Sequence, residues 1–297
     1  MKKRGAKLGQ HFLKAKWAAR ALAYAVGIEH GDIVLEIGPG KGALTRELLA
    51  IAKEVGAQIV AIEKDEELVV HLNGIFKDEI ASGTLTVRGE DIRNVTPDTI
   101  GLVSGKYLVA ANIPYYITGE IIRQFLTAKE QPRAMALLVQ KEVAQRIVAK
   151  PAGGGSSSPP KEDRPSVGGG KESLLSLSVK AYGVPRIVMK VPRGNFSPPP
   201  NVDSAILLIQ NISRKFFSNI SEELFFKVIH AGFKSKRKFL LSNLAGTFEK
   251  EGVTRAFTEC GISMKARAED VPLEAWACMT QKLVACSQEA CGHNPNT

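Results

Sequence analysis

Short apolar runs alternate with helix-spaced segments through the first half of this 297-residue chain, and this alternation limits the possible folds more than any other feature. The runs lie at 32–38, 57–65, 83–91, 106–113 and 133–140. Most of the segments between them have the apolar spacing of amphipathic helices. Strands joined by helices of this length predict an α/β fold with a doubly wound, Rossmann-like parallel sheet.

The pattern changes after residue 150. The stretch "PAGGGSSSPPKEDRPSVGGG" (151–170) is rich in Gly, Ser and Pro, which predicts a flexible surface insertion with no core of its own. Strand-like segments resume at 186–192 and 202–210, so we place the insertion within the sheet domain. From about residue 213 the pattern is wholly helical, including "KSKRKFLLSNLAGTF" (234–248). The predicted organisation is a sheet domain at 1–212, a small C-terminal all-helical domain at 213–284 and a tail at 285–297.

The chain is strongly basic, with 40 Lys and Arg against 30 Asp and Glu and a net charge of +10. Such an excess favours a polyanionic partner, because each phosphate that a cation neutralises releases counterions. The charge is concentrated in the N-terminal arm and in "FKSKRKF" (233–239). No run of 18 apolar residues occurs, and the basic N-terminus lacks the apolar segment of a signal peptide. We therefore predict a cytoplasmic protein with no membrane contact.

The four cysteines lie near the carboxyl end of the chain, at Cys260, Cys278, Cys286 and Cys291. Nothing in the sequence indicates export to an oxidising compartment, so we predict free thiols rather than disulfides. Cys286, Cys291 and His293 have a spacing that matches no usual zinc site, and no metal is predicted.

A glycine-rich turn, "LEIGPGKGALT" (35–45), joins the first predicted strand to its helix. Gly38 and Gly40 allow the backbone to approach a ligand closely at the helix N-terminus. Glu63 and Asp91 come at the ends of the next two strands, where they can meet the same ligand at one edge of the sheet. Together these positions predict a cofactor that contains a nucleoside. A nicotinamide enzyme is disfavoured, since no acid–base pair for hydride transfer is evident.

The fourth strand ends in "NIPYYIT" (112–118), which resembles the motif of methyltransferases that act on exocyclic amino groups of bases. Further segments follow the order found in the ribosomal RNA adenine dimethyltransferases, and the resemblance covers nearly the whole chain. The segments "GPG" and "PPPNVDS" are more similar to those of the enzymes that methylate small-subunit rRNA than to those of the enzymes that confer macrolide resistance through large-subunit rRNA. The matching segments are "LGQHFL" (8–13), "LEIGPGKGALT" (35–45), "NIPYYIT" (112–118), "LLVQKEVAQRIVAKP" (137–151), "FSPPPNVDSAI" (196–206), "GFKSKRKFLLSNL" (232–244) and "RAEDVPLEAW" (267–276).

The resemblance implies S-adenosylmethionine as the cofactor and ribosomal RNA, in a precursor of the small subunit, as the partner of a monomeric enzyme. It implies that Asn112 meets the target amine and that Tyr115 and Phe196 enclose the adenine. The Asn112 oxygen and the Ile113 carbonyl can accept the N–H groups of that amine, and Pro114 restricts Ile113 so that its carbonyl is aimed. Lys234, Lys236, Arg237 and Lys238 are predicted to contact RNA phosphates. The implied cofactor-binding residues are Gln10, His11, Leu13, Gly38, Gly40, Glu63, Asp91, Ile92 and Asn112.

Three departures from the family pattern stand out. Tyr116 and His11 both occupy positions where the family commonly has Asn, and the insertion at 151–170 replaces a short glycine-containing turn. Two other functions stay open on the sequence alone. One is methylation of large-subunit rRNA, and the other is a non-catalytic role in ribosome assembly with the same fold.

Overall fold

The computed structural model of the chain describes residues 11–149 and 170–291, with side chains as far as residue 283. Gln10, His293, the side chains of Cys286 and Cys291 and almost all of the predicted insertion lie outside this described part. Residues up to Gln145 form one compact unit with Tyr182–Ser213. Arg146–Ala181 group with the residues from Arg214 onward in a second unit. This division differs from the predicted one in that the segment 146–181 groups with the helices.

Strands of the first unit form a large mixed sheet and a small antiparallel pair. In chain order the strands are β1 (Phe12–Leu13), β2 (Ile33–Ile37), β3 (Gln58–Glu63), β4 (Leu85–Gly89), β5 (Tyr107–Asn112), β6 (Ala134–Gln140), β7 (Val184–Val191), β8 (Phe196–Ser197) and β9 (Ser204–Gln210). The large sheet has the order β4-β3-β2-β5-β6-β9-β7, and β1 pairs with β8. β5, β6 and β9 are buried along nearly their whole length, as expected for strands covered on both faces.

The predicted doubly wound sheet is confirmed, and its parallel pairing gives way to antiparallel pairing at one edge. The five strands from β4 to β6 pair in parallel, but β9 runs antiparallel to both β6 and β7. A parallel pair needs a crossover of a dozen or more residues, usually through a helix. The link between β7 and β9 contains only a 3₁₀ turn and β8, so the chain returns beside β7 in the opposite direction.

The helices of the chain are α1 (Lys16–Ala25), α2 (Ala43–Val55), α3 (Glu66–Ile75), α4 (Lys77–Ala81), α5 (Thr118–Thr127), α6 (Lys141–Val148), α7 (Leu174–Tyr182), α8 (Glu222–Gly232), α9 (Leu240–Leu244), α10 (Lys250–Glu259) and α11 (Leu273–Cys291). Several begin or end where the local sequence dictates. Asp65 caps α3 by accepting the N–H groups of Glu67 and Leu68, and Gly56 ends α2 at a φ of 71°. Within the described residues, none of these helices is long and apolar enough to cross a bilayer.

The basic segment 234–238 forms a turn and not the predicted helix, which is confined to α9. α8 ends at Gly232, where an added Cβ would lie 2.4 Å from the indole of Trp276. The buried amide of Asn243 then donates to the carbonyls of Gly232 and Ser235, at 2.6 and 3.0 Å. The first bond satisfies a carbonyl that the end of α8 leaves free, and the second ties the turn to α9.

The prediction of free thiols is wrong for two of the four cysteines. Cys260, at the end of α10, forms a disulfide with Cys278 in α11, with a Cα–Cα separation of 5.9 Å. The prediction relied on the cellular compartment alone. It did not consider that packing of α10 against α11 brings the two cysteines within bonding distance.

Candidate active site

A cavity of about 270 Å³ opens at the carboxyl ends of β2, β3, β4 and β5. The strand order reverses here, because β3 lies on one side of β2 and β5 on the other, and ligands of open α/β sheets bind at such points. Most of the predicted site residues meet in this cavity. Those that line it are His11, Leu13, Gly38, Gly40, Glu63, Asp91, Ile92, Asn112, Ile113, Pro114 and Tyr115.

The glycine turn after β2 forms one wall of the cavity. Gly38 and Gly40 have φ values of 65° and 59°, a region that favours glycine. A Cβ on Gly40 would lie 3.1 Å from the ring of Phe12, whereas nothing lies within 4 Å of the Cβ position of Gly38. The turn therefore leaves space for a ligand beside Gly38 while it packs tightly at Gly40.

Glu63 is buried at the end of β3 and is held in a fixed orientation by the backbone. One carboxylate oxygen accepts the N–H of Gly40 and the other accepts the N–H of Asp65, both at 3.0 Å. Because each oxygen has two lone pairs, each can accept one further hydrogen bond. This geometry suits a pair of neighbouring hydroxyl groups such as those of a ribose.

Asp91, one strand further along the rim, is already fully engaged. Its carboxylate accepts the backbone N–H and two guanidinium N–H groups of Arg93, at 2.6–3.1 Å, and the ammonium of Lys64 at 2.7 Å. Arg93 and then Lys64 hold the pKa of Asp91 far below its usual range. Four bonds use the full acceptor capacity of a carboxylate. An adenine amino group can bond to Asp91 only if one of these side chains, both about half exposed, moves aside.

Asn112, at the end of β5, is oriented by the segment that precedes α1. Its side-chain nitrogen donates to the backbone carbonyl of His11 at 3.1 Å, so the side-chain oxygen is the end that can accept a bond in the cavity. The His11 ring donates from Nδ1 to the carbonyl of Pro198 at 2.8 Å. It also stacks on Tyr115, with 5.8 Å between ring centroids. His11 thus contacts both Asn112 and Tyr115, through its backbone carbonyl and its ring.

The two tyrosines of the motif differ in environment. The hydroxyl of Tyr115 is hydrogen bonded to that of Ser204, which is fully buried in β9, at 2.7 Å. Burial raises the pKa of Tyr115, so its phenol stays protonated at neutral pH. Tyr116 is 70% exposed, and its ring forms part of the cavity rim. Tyr115 is therefore a fixed aromatic surface, whereas Tyr116 has room to move.

Phe196 does not reach the cavity in this arrangement. It lies in β8, opposite Leu13 of β1, and its ring is 1% exposed within the hydrophobic core of the first unit. It is absent from the described residues that line the cavity. Its predicted place on one face of a bound base stays a prediction that requires the ring to become accessible.

The four predicted RNA-contacting cations lie in the turn of the second unit. Lys234, Lys236, Arg237 and Lys238 are all exposed. Within the part of the chain that the structure describes, none of them has a carboxylate at ion-pair distance. The same part contains no cluster of His, Cys, Asp or Glu side chains that could hold a metal ion.

Comparison with known proteins gives a family for this fold and site. The family model described as ribosomal RNA adenine dimethylase matches residues 1–158 and 163–284. The chain belongs to this family. A relative from Dehalococcoides mccartyi, named ribosomal RNA small subunit methyltransferase A, is 38% identical over 91% of this chain and 84% of its own. A relative of the same name from Moorella thermoacetica is 35% identical over 93% of this chain and 91% of its own.

Solved structures confirm the fold of this dimethylase-family chain. A dimethyladenosine transferase from Plasmodium falciparum superposes with a TM-score of 0.71 at 22% identity, over 94% of this chain and 98% of its own. The 23S rRNA methyltransferase ErmE superposes with a TM-score of 0.69 at 23% identity, over 92% of this chain and 99% of its own. At these identities the likeness concerns the fold alone.

The sequence analysis did not identify Glu36, a buried acid in β2 just before the glycine turn. Glu36 is fully buried in β2, and neither its carboxyl oxygens nor the hydroxyl of nearby Thr45 has a hydrogen-bond partner among the described residues. Burial raises the pKa of Glu36 to about 8, and the Glu63 carboxylate adds to this rise. The position of an acidic residue within the otherwise apolar strand "IVLEI" is the feature of the sequence that could have identified Glu36.

Replacing Glu36 by Gln is expected to flatten the pH dependence of stability. The folded protein holds the Glu36 proton between its ordinary pKa of 4.5 and about 8, whereas the unfolded chain has lost it. The free energy of unfolding therefore falls as the pH rises through this window. We expect Glu36→Gln to match the parent near pH 5 and to be more stable at pH 9 in urea unfolding. The exposed Glu142→Gln is the control, and equal losses in all three proteins would contradict the assignment.

Proposed function

We propose that this chain transfers methyl groups from S-adenosylmethionine to the exocyclic amino group of adenines in small-subunit ribosomal RNA, forming N6,N6-dimethyladenine during ribosome assembly. One observation carries the proposal. The oriented amide of Asn112 and the fixed ring of Tyr115 lie on the same sheet edge as the glycine turn and Glu63. The names of the curated relatives support the small-subunit substrate.

The residues of the cavity suit a nucleoside cofactor with an amino-acid tail. Gly38 leaves open space for close approach, and Glu63 offers two oriented oxygens to ribose hydroxyls. Asp91 can receive the adenine amino group once Arg93 or Lys64 releases it. When bound, S-adenosylmethionine supplies a methyl group activated by its sulfonium.

Asn112 and Ile113 are placed to make the target nitrogen more nucleophilic, because an adenine amine has low basicity. The lone pair of that nitrogen is delocalised into the ring. If the Asn112 oxygen and the Ile113 carbonyl each accept a hydrogen bond from one N–H group of the amine, a tetrahedral and more nucleophilic nitrogen is favoured. Pro114 restricts Ile113 to an extended backbone, which aims the carbonyl. Positioning supplies much of the rate increase, so no strong general base is needed.

The second methyl transfer follows from the same geometry. A monomethylated amine keeps one N–H, so one of the two acceptors still orients it after the amine has turned. Tyr115 holds the base out of its helix by stacking, a contact worth about 1–3 kcal/mol per base. The bond from its hydroxyl to Ser204 keeps the ring in place through both transfers.

RNA affinity outside the cavity is assigned to the basic turn at Lys234, Lys236, Arg237 and Lys238. Exposed cations without carboxylate partners in the described residues are suited to phosphates. The monomeric state and the cytoplasmic location expected from the sequence stay predictions. Methylation of large-subunit rRNA, the alternative that the sequence leaves open, is the second candidate.

The deciding experiment compares substrates. Purified protein receives labelled S-adenosylmethionine and either unmethylated small subunits, naked small-subunit rRNA or large-subunit rRNA, and nucleosides are analysed by mass spectrometry. We expect dimethyladenosine from the small-subunit particle. Label on large-subunit RNA would instead establish the second candidate, and cofactor binding without any transfer would favour a non-catalytic assembly role.

Asn112→Ala is expected to lower methyl transfer at least a hundredfold, because the amine loses its principal acceptor. The substitution also removes the bond to the His11 carbonyl, so folding and cofactor binding are checked by circular dichroism and calorimetry. Asn73→Ala, at an exposed position of α3, serves as the control. Turnover near that of the parent enzyme would refute the proposed role of Asn112.

Tyr115→Ala is expected to lose most activity, whereas Tyr115→Phe keeps the stacking surface and loses only the bond to Ser204. Ser204→Ala removes the same bond from the other side and is the matched comparison. We expect Tyr115→Phe and Ser204→Ala to share a modest loss of stability, about 1 kcal/mol, and to retain much of the transfer rate. If Tyr115→Phe were as inactive as Tyr115→Ala, the hydroxyl and not the ring would matter.

A further inference from the structure

A second, wider groove lies on the first unit between α1 and α2, with a volume of about 690 Å³. Its lining is strongly basic, with five cations against the two carboxylates of Glu47 and Glu54. The cations are Lys14, Lys16, Arg20, Lys41 and Arg46. We call this surface the α1–α2 groove. Lys41 lines both this groove and the cofactor cavity, so the two lie next to each other.

The cations of the groove outnumber its two carboxylates, so in the described part of the chain its lining keeps an excess of positive charge. Among the described residues, none of its five cations lies at ion-pair distance from a carboxylate. Three of them lie over aromatic rings instead: Lys41 over Phe12 at 5.1 Å, Arg46 over Phe76 at 5.3 Å and Arg20 over Tyr24 at 5.5 Å. Contact with a ring restrains a cation without removing its charge. The groove therefore presents a preformed positive surface.

An exposed aromatic stripe accompanies these cations along α1. Lys16, Arg20 and Tyr24 are four residues apart and so share one face of the helix, and Tyr24 is 57% exposed. Trp17 next to them is 46% exposed. The opposite face of α1 is buried through Ala18, Ala19, Leu22 and Ala23 and cannot explain the two exposed rings. Cations that alternate with accessible rings are typical of surfaces that bind unpaired nucleic acid.

We propose that the α1–α2 groove binds the unpaired RNA strand next to the target adenine, with its phosphates on Lys16 and Arg20 and one base stacked on Tyr24. The inference rests on the proposed function and extends it to a second RNA surface, separate from the basic turn at 234–238. Charge complementarity favours a polyanion, and the adjacency at Lys41 places the groove beside the cavity that would hold the target base. An unpaired nucleotide uses both features of the groove, because its phosphates match the cations and its base can stack on an exposed ring.

The test measures RNA binding separately from methyl transfer. Full-length Lys16→Gln/Arg20→Gln and Tyr24→Ala variants are titrated with fluorescent small-subunit rRNA fragments that carry the target adenine, at several salt concentrations. Lys106→Gln/Lys129→Gln, with the same change of charge at exposed sites outside the groove, is the control. We expect the salt slope of the groove double variant to fall by about 1.4, since each phosphate contact with a single strand contributes about 0.7. We expect Tyr24→Ala to weaken binding about fivefold or more through loss of one stacked base.

Calorimetry with S-adenosylmethionine and steady-state kinetics complete the comparison. An unchanged cofactor affinity and kcat, with a raised KM for RNA, would support the groove as an RNA surface. If the groove variants bind RNA and respond to salt as the control does, while the parent protein methylates small subunits, the groove inference is overturned and the proposed function stands. If the parent protein neither binds nor methylates this RNA, the proposed function itself fails.

Discussion

The pairing of β2 with β3 on one side and β5 on the other is the constraint on which the site depends. Both pairs are parallel, so the carboxyl ends of all three strands reach the same edge of the sheet. The glycine turn, Glu63 and Asn112 meet there although they are far apart in sequence. The hydrogen bond from Gly40 to Glu63 then joins two of these strand ends directly, at 3.0 Å. The residues proposed for cofactor binding and those proposed for base recognition share one rim because the strand order reverses at β2.

The features that depend on local pattern could be predicted from the sequence. The strands from β2 to β6, the glycine turn and the rim positions of Glu63 and Asn112 follow from apolar runs, glycine spacing and the rule for parallel sheets. The family resemblance supplied the chemistry of the motif. These predictions succeed because strand ends and turn residues are determined within about ten residues of sequence.

The features that depend on distant packing could not be predicted in this way. The burial of Phe196 depends on β8 pairing with β1, across more than half of the chain. The basic turn replaces a helix because Trp276 and Asn243 act on the end of α8. The disulfide depends on α10 packing against α11, and the saturation of Asp91 is completed by Lys64 from the end of the neighbouring strand. Each results from a contact that no periodicity encodes.

The support of Tyr115 by Ser204 has a consequence for the order in which a growing chain becomes competent. The cofactor side of the cavity is complete in sequence once β5 has been made, since its residues fall between His11 and Ile117. Ser204 and Pro198, which hold the Tyr115 hydroxyl and the His11 ring, are synthesised some ninety residues later. The residues proposed to hold the methyl donor are therefore synthesised well before the residues that fix His11 and the proposed base-stacking ring. The proposed base site is complete only when β9, the last strand of the sheet, has formed.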